Sequence, residues 1–258
     1  MAMTDYIVMF SGGLTSYEAA RRTIEAHGHD NVRIWFSDTN QEVERILEHP
    51  IEVLDNEGNT VWDIFFKVRL IGNSRLDPCS QRLKRKPLRK KLEKEYPNPE
   101  DAIVVLGMDG IEDCKRTERA AKNQLPYKTW FPLLEEPIVM KSHISRQLKE
   151  LGIERPKLYD LGFSHNNCGG FCVKAGFGQF AHLLKVLPER YAFHEQKEEE
   201  FREFIEKDVT ILRDRRGGTT KPMTLKAFRE RIEGGENFSY DTGWECLCFV
   251  ENEELEWL

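Results

Sequence analysis

"DYIVMFSGGLTSYEAARR", residues 5–22, sets a short apolar run against a Ser-Gly-Gly joint and then a helix-like stretch. The unbroken apolar residues 6–10 read as a strand buried on both faces, and residues 16–26 as the helix that follows it. A glycine joint between the two has a plain reading and a chemical one. The plain one is a tight turn closed by a serine cap. In the chemical one, Gly12 and Gly13 let the backbone approach phosphate oxygens, and the hydroxyls of Ser11, Thr15 and Ser16 donate to them. The helix N-terminus adds free amides and the positive end of its dipole. Neither the lysine-bearing P-loop pattern nor the three-glycine dinucleotide pattern is present.

Working outward, "VRIWFSD" (32–38) reads as a second strand with Asp38 at its carboxyl end, and "IEVL" (51–54) as a third. An aromatic helix follows over 60–70. "AIVVLG" (102–107) is another apolar run, closed by Gly107, and "KLYDLGF" (157–163) reads as one more short strand. Strands alternating with helices predict an α/β fold, a parallel sheet with helices on both faces. Ligands of such sheets sit beyond the carboxyl ends of the strands, where Ser11, Asp38 and Gly107 all fall. Trp35, Trp62, Phe65 and Phe66 read as core. After residue 175 the pattern becomes two helices broken near Pro188, an exposed loop over 213–222 and a short final helix. The expected division is a nucleotide-binding α/β domain with a cysteine motif (1–175) and a mostly helical extension with a cysteine-containing tail (176–258).

The 258 residues, 40% of them hydrophobic, suffice for a substantial core without disulfides. A net charge of −6 argues against binding nucleic acid through the protein's overall field. No apolar run approaches membrane-spanning length and no signal-peptide layout opens the chain, so the expected location is the cytoplasm, without membrane contact. Six cysteines in a reducing compartment read as thiols or metal ligands.

The S-G-G-x-x-S pattern resembles the PP-loop of ATP pyrophosphatases, the adenine nucleotide alpha hydrolase-like superfamily. Three further stretches resemble its phosphoadenosine phosphosulfate reductase branch: "DPCSQRLKRKPLRKKL" (77–92), "GMDGIEDCKRTER" (107–119), and "FPLLEEP" with "LYDLGFSHNNCGGFC". They occur in the family's order over roughly residues 5–175. The resemblance implies a PP-loop-like (HUP) fold, ATP with Mg2+ on the loop from Ser11 to Ser16, and release of pyrophosphate. Departures are specific. Cys79 is followed by Ser80 where iron-sulfur members carry adjacent cysteines, and Cys168 and Cys172 form C-x3-C where they carry C-x2-C. The reductases' Glu-Cys-Gly-Leu-His tail is absent.

Basic residues crowd residues 82–91, either as a solvated helix face or as phosphate contacts. Arg75 and Lys84 are expected to face the site, with Arg116 and Arg119 as phosphate clamps. Lys84 and Arg116 are the expected catalytic pair. The glycine-rich "CGGFC" turn presents two thiols to one centre, Cys79 supplies a third, and Cys246 or Cys248 a fourth. Such a set suits a 4Fe–4S cluster or, alternatively, Zn2+. Cys114 is set aside, and His165 reads as a satisfied loop histidine. The expected partners are an adenine nucleotide, a tRNA or DNA target, a sulfur-donor protein and a second copy of the chain. The resemblance implies an ATP-pyrophosphatase-type enzyme of adenylation and sulfur-transfer chemistry, with a sulfurtransferase acting on nucleic acid as its specific form. Two rivals stand beside it: an adenylyl-sulfate reductase, and a non-catalytic nucleotide or nucleic-acid binder with structural zinc.

Overall fold

The computed structural model describes residues 4–37, 49–54, 57–109, 116–166, 168–215 and 218–238. β1 (Asp5–Phe10) enters α1 (Leu14–His27), and β2 (Val32–Ser37) and β3 (Ile51–Leu54) follow. Then come α2 (Val61–Val68), α3 (Pro78–Ser80), a π-helical turn (Gln81–Arg85) and α4 (Lys86–Glu95). β4 (Ala102–Val105), α5 (Thr117–Lys122) and β5 (Lys128–Trp130) complete a five-stranded sheet, order β3-β2-β1-β4-β5. All its pairings are parallel. α6 (Lys141–Glu150) and α7 (Lys157–Asp160) lead to α8 (Phe177–Val186) and α9 (Pro188–Ile205), and β6 (Leu212–Asp214), β7 (Lys221–Met223) and α10 (Leu225–Glu233) close the described chain. The fold is α/β with a largely helical C-terminal part. Among the described residues no helix is long and apolar enough to cross a membrane.

Alternation along β1 explains both layers. Val8 and Phe10 join Leu14 and Tyr17 of α1 and Ile144 and Leu148 of α6 on one face. Ile7 and Met9 join Leu88 and Leu92 of α4 and Ala120 of α5 on the other. Covering both faces is what an all-parallel sheet requires, and each Val, Leu, Ile, Phe or Met fully buried there contributes about 1.5–3 kcal/mol. Trp35, Trp62 and Phe65 are buried, and Phe66 packs against the cluster that holds Trp62 and Phe65, as their apolar character predicts.

Two expectations are corrected. Residues 157–160 form the helical turn α7, entered at Pro156, so the sheet gains no strand there; its fifth strand is β5. The segment read as an exposed loop at 213–222 carries the antiparallel pair β6 and β7. Both are three-residue strands, too short for alternation to register in the sequence. The break at Pro188 falls where expected, between α8 and α9. These helices share one apolar cluster with α2 and the turn around Phe171.

Candidate functional site

The glycine joint closes β1 and opens α1. Gly12 has φ 75°, the left-handed region that glycine adopts without strain, and Gly13 is the N-cap of α1. Ser16 Oγ donates to the Gly13 carbonyl at 2.9 Å and accepts from the Gly13 N–H at 3.2 Å. Ser11 Oγ donates to Ser16 Oγ at 3.1 Å. The serines therefore shape the loop, with Thr15 half-buried in the first helical turn. No acidic residue sits in that turn, so the turn itself does not offset the positive end of the dipole.

Gly107, beyond β4, meets this loop directly. A β-carbon there would stand 2.6 Å from the Thr15 carbonyl oxygen and 2.8 Å from Ser16 Cα. β1 and β4 are adjacent while β2 lies on the other side of β1, so this contact sits at the topological switch point. A third segment covers the loop. The Leu14 N–H donates to the Tyr159 hydroxyl at 3.3 Å, and Asn166 Nδ2 donates to the Gly12 carbonyl at 3.2 Å.

Two residues beyond Asn166 begins the cysteine turn. Cys168, Gly169 and Gly170 all have left-handed φ (51°, 58° and 84°), which explains the paired glycines and places about 1–3 kcal/mol of strain on Cys168. The C-terminal helices clamp the turn: Arg190 donates to the Gly169 carbonyl at 2.7 Å and Gln179 to the Gly170 carbonyl at 2.9 Å. His194 stacks on Phe171 at 3.5 Å, and its Nδ1 accepts from the Trp62 indole N–H at 2.9 Å. Burial, assisted by Arg190, holds the His194 imidazole down to about 3, so the ring is neutral.

Cys79, Cys168 and Cys172 line one cavity of ≈ 20 Å³, about the space of one water molecule. Lys84 and Lys174 line it as well. Lys174 lies 3.4 Å from the Asp77 carboxylate, which Arg85 also approaches at 3.4 Å, and all three are nearly removed from solvent. Burial pushes the Asp77 carboxyl above its ordinary range, against the pull of Arg85 and Lys174.

The helix carrying Cys79 and Lys84 is shaped by Pro87. Proline has no N–H to offer the Leu83 carbonyl one turn back. The Ser37 hydroxyl, at the end of β2, donates to that carbonyl instead. The chain widens just upstream into the π turn at Gln81–Arg85, a feature frequent at functional sites.

Among the expected site residues, Ser11, Gly12, Gly13, Thr15, Ser16 and Gly107 come together, and Lys84 joins the three thiols. Arg75 and Arg119 are exposed on the loop ahead of α3 and on α5, and Arg116 is half-buried at the start of α5. Asp38, Cys114, Cys246 and Cys248 lie outside the described residues. Sequence reasoning missed Tyr159, Asp77 and Lys174. Tyr159 was hidden by reading its segment as a strand, but the two charges directly flank the cysteine motifs and were legible.

The thiols fit a thiolate-held group in donor chemistry. As an assembled set they do not yet make one: among the described residues no three His, Cys, Asp or Glu stand together as a metal site. In comparisons with known proteins, no family model matches the chain, and no curated protein matches it.

Proposed function

We propose that the chain is an ATP-pyrophosphatase-type nucleotide enzyme, similar to phosphoadenosine phosphosulfate reductases, that serves sulfur transfer in the cytoplasm. One observation carries this reading. A single segment runs from the glycine loop, touched by Tyr159 and Asn166, into the thiol cavity at Cys168 and Cys172. The glycine loop and the thiol cavity thus share one covering segment, which supports a reading in which adenylation is coupled to sulfur chemistry.

In this proposal the phosphates of ATP, accompanied by Mg2+, lie on the loop from Ser11 to Ser16. A nucleophile of the acceptor attacks the α-phosphorus, the bond from that phosphorus to the bridging oxygen breaks, and pyrophosphate leaves with the electron pair. The loop amides and the α1 dipole neutralise the developing charge, and Lys84 and Arg116 are the side-chain candidates for the same work. Tyr159 holds the Leu14 amide that a phosphate would take, so binding must displace or share it. Lys84 and Lys174 line the same cavity as the three thiols. Cys79, Cys168 and Cys172 would hold an iron-sulfur cluster, or zinc, with a tail cysteine, and that group would supply the sulfur-handling surface.

The test is titration of ATP, by calorimetry, into the wild-type chain and into Gly12→Val. Valine forces the loop out of its left-handed φ. ATP is expected to bind the wild type and not the folded variant. Equal affinity for both would remove the loop from nucleotide binding. An adenylyl sulfate consumed with a thiol reductant, without ATP binding, would replace this reading by the reductase.

A further inference from the structure

A second cavity, of ≈ 210 Å³, opens between the first turns of α4 and the residues that close α5. Its floor is Met9 and Leu88, which belong to the α4 and α5 side of the sheet. The glycine loop leads into α1 on the other side. The cavity is smaller than the roughly 300 Å³ at which pockets begin to enclose drug-sized ligands. It suits a compact polar group.

Its chemistry has one sign. Arg85, Lys86 and Arg89 line it, and among the described residues no carboxylate does. Gln81, Asn123 and Gln124 add carboxamides, whose NH2 groups are donors. The three cations differ in role. Arg89 is committed to the wall: Nε donates to Glu93 at 2.7 Å, and its other nitrogens to the carbonyls of Gln124 (3.1 Å) and Leu125 (2.8 Å). Arg85 approaches the buried Asp77 carboxylate together with Lys174, behind the cavity wall. Lys86 is exposed at the rim and makes no ion pair among the described residues.

A second observation extends the cation beyond the rim. Lys86, Lys90 and Lys94 recur at i, i+4 spacing on α4, all exposed and all without an ion pair among the described residues. Their neighbours Arg89 and Lys91 are instead neutralised by Glu93 and Glu95. Like charges at this spacing destabilise a helix by about 0.2–0.5 kcal/mol per pair, a cost that an anion lying along the stripe relieves.

We infer that this cavity is a second anion site, separate from the glycine loop, that receives the phosphate group of a phosphate ester, with Lys86 as its charged contact. Arg85 lines the wall behind it, and the carboxamides donate to the ester oxygens. Free nucleotides and nucleic-acid strands both carry that group. The lysine stripe leading away from the rim favours a strand, whose further phosphates meet Lys90 and Lys94.

The experiment uses the full chain in the Gly12→Val background, which removes the loop as a competing phosphate site. Adenosine monophosphate is titrated by equilibrium dialysis, and a short single-stranded oligonucleotide by fluorescence anisotropy across a salt series. Lys86→Glu is expected to weaken both probes about tenfold and to lower the salt slope for the oligonucleotide by at least about 1. Lys90→Glu is expected to weaken the oligonucleotide while leaving the mononucleotide within about twofold. Binding of the mononucleotide alone, lost in Lys86→Glu, keeps the site and assigns it to free nucleotides. If neither probe binds, or if Lys86→Glu binds like its parent, the proposal is overturned. Neither result bears on whether ATP occupies the loop of the unaltered chain.

Discussion

Gly107 carries no side chain where it faces Thr15, and a β-carbon there would lie 2.6 Å from the Thr15 carbonyl oxygen. The contact is backbone against backbone, so neither side can yield by changing a rotamer. Gly107→Ala is therefore expected to cost about 1–3 kcal/mol of stability and to displace the loop, weakening ATP binding at least about tenfold. Urea denaturation and calorimetry read the two effects. A variant unchanged in both would show that the approach of β4 to the loop is immaterial.

The thiol cavity makes a compositional prediction. Protein purified without oxygen should carry iron or zinc, and Cys168→Ala should lose it, because Cys168 and Cys172 reach one cavity with Cys79. Metal analysis and visible spectra separate cluster from zinc in the same sample. A full complement of metal in the folded variant would dismiss this ligand set.

Ser37 and Pro87 act on the same carbonyl. Ser37→Ala leaves the buried Leu83 carbonyl without the hydroxyl that Pro87 cannot replace, at an expected cost of about 1–3 kcal/mol. Adding Pro87→Ala restores an N–H one turn away, so the double variant should regain part of that loss. Denaturant midpoints of the single and double variants check it. A Ser37→Ala protein as stable as wild type would refute the role given to this hydroxyl.

Two buried groups in α9 have opposite pH signatures. His194 titrates at about 3 in the folded chain against 6.5 ordinarily, because burial and Arg190 disfavour its charge. Its contribution to stability is present above pH 6.5 and is lost as pH falls toward 3. Burial raises Glu198 to about 7 from 4.5, against the N–H groups of Ile211 and Leu225. Its contribution is complete below pH 4.5 and is lost as pH rises through 7. Each slope approaches about 1.4 kcal/mol per pH unit, so the two offset one another between pH 4.5 and 6.5. Glu198→Gln should expose the His194 slope, losing stability on acidification across that window more steeply than wild type. Identical pH profiles for the two proteins would reject the assignment.

Much of this was legible in residues 5–22, because an unbroken apolar run, a glycine joint and a helix pattern are local statements. The sheet class followed from repeating that unit, and the break before α9 from one proline. Lys128–Trp130 was not legible as a strand: it is short, and it forms because β4 offers it a free edge. Lys157–Asp160 misled for the converse reason, since an apolar and aromatic mixture suits either a strand or a packed helical turn.

The sequence by itself determined the α/β class, the glycine joint at the end of β1 and the cysteine pair in its glycine-rich turn. Each depends on backbone preference or apolar spacing within a few residues. Only the tertiary structure decided that Tyr159 and Asn166 cover the loop, that Cys79 meets Cys168 and Cys172, and that Arg190 and His194 hold their turn. Those pairings join residues up to 154 positions apart. No local propensity specifies them: they arise because the sheet fixes where the strand ends lie, and burial of one shared apolar cluster brings α9 against the turn.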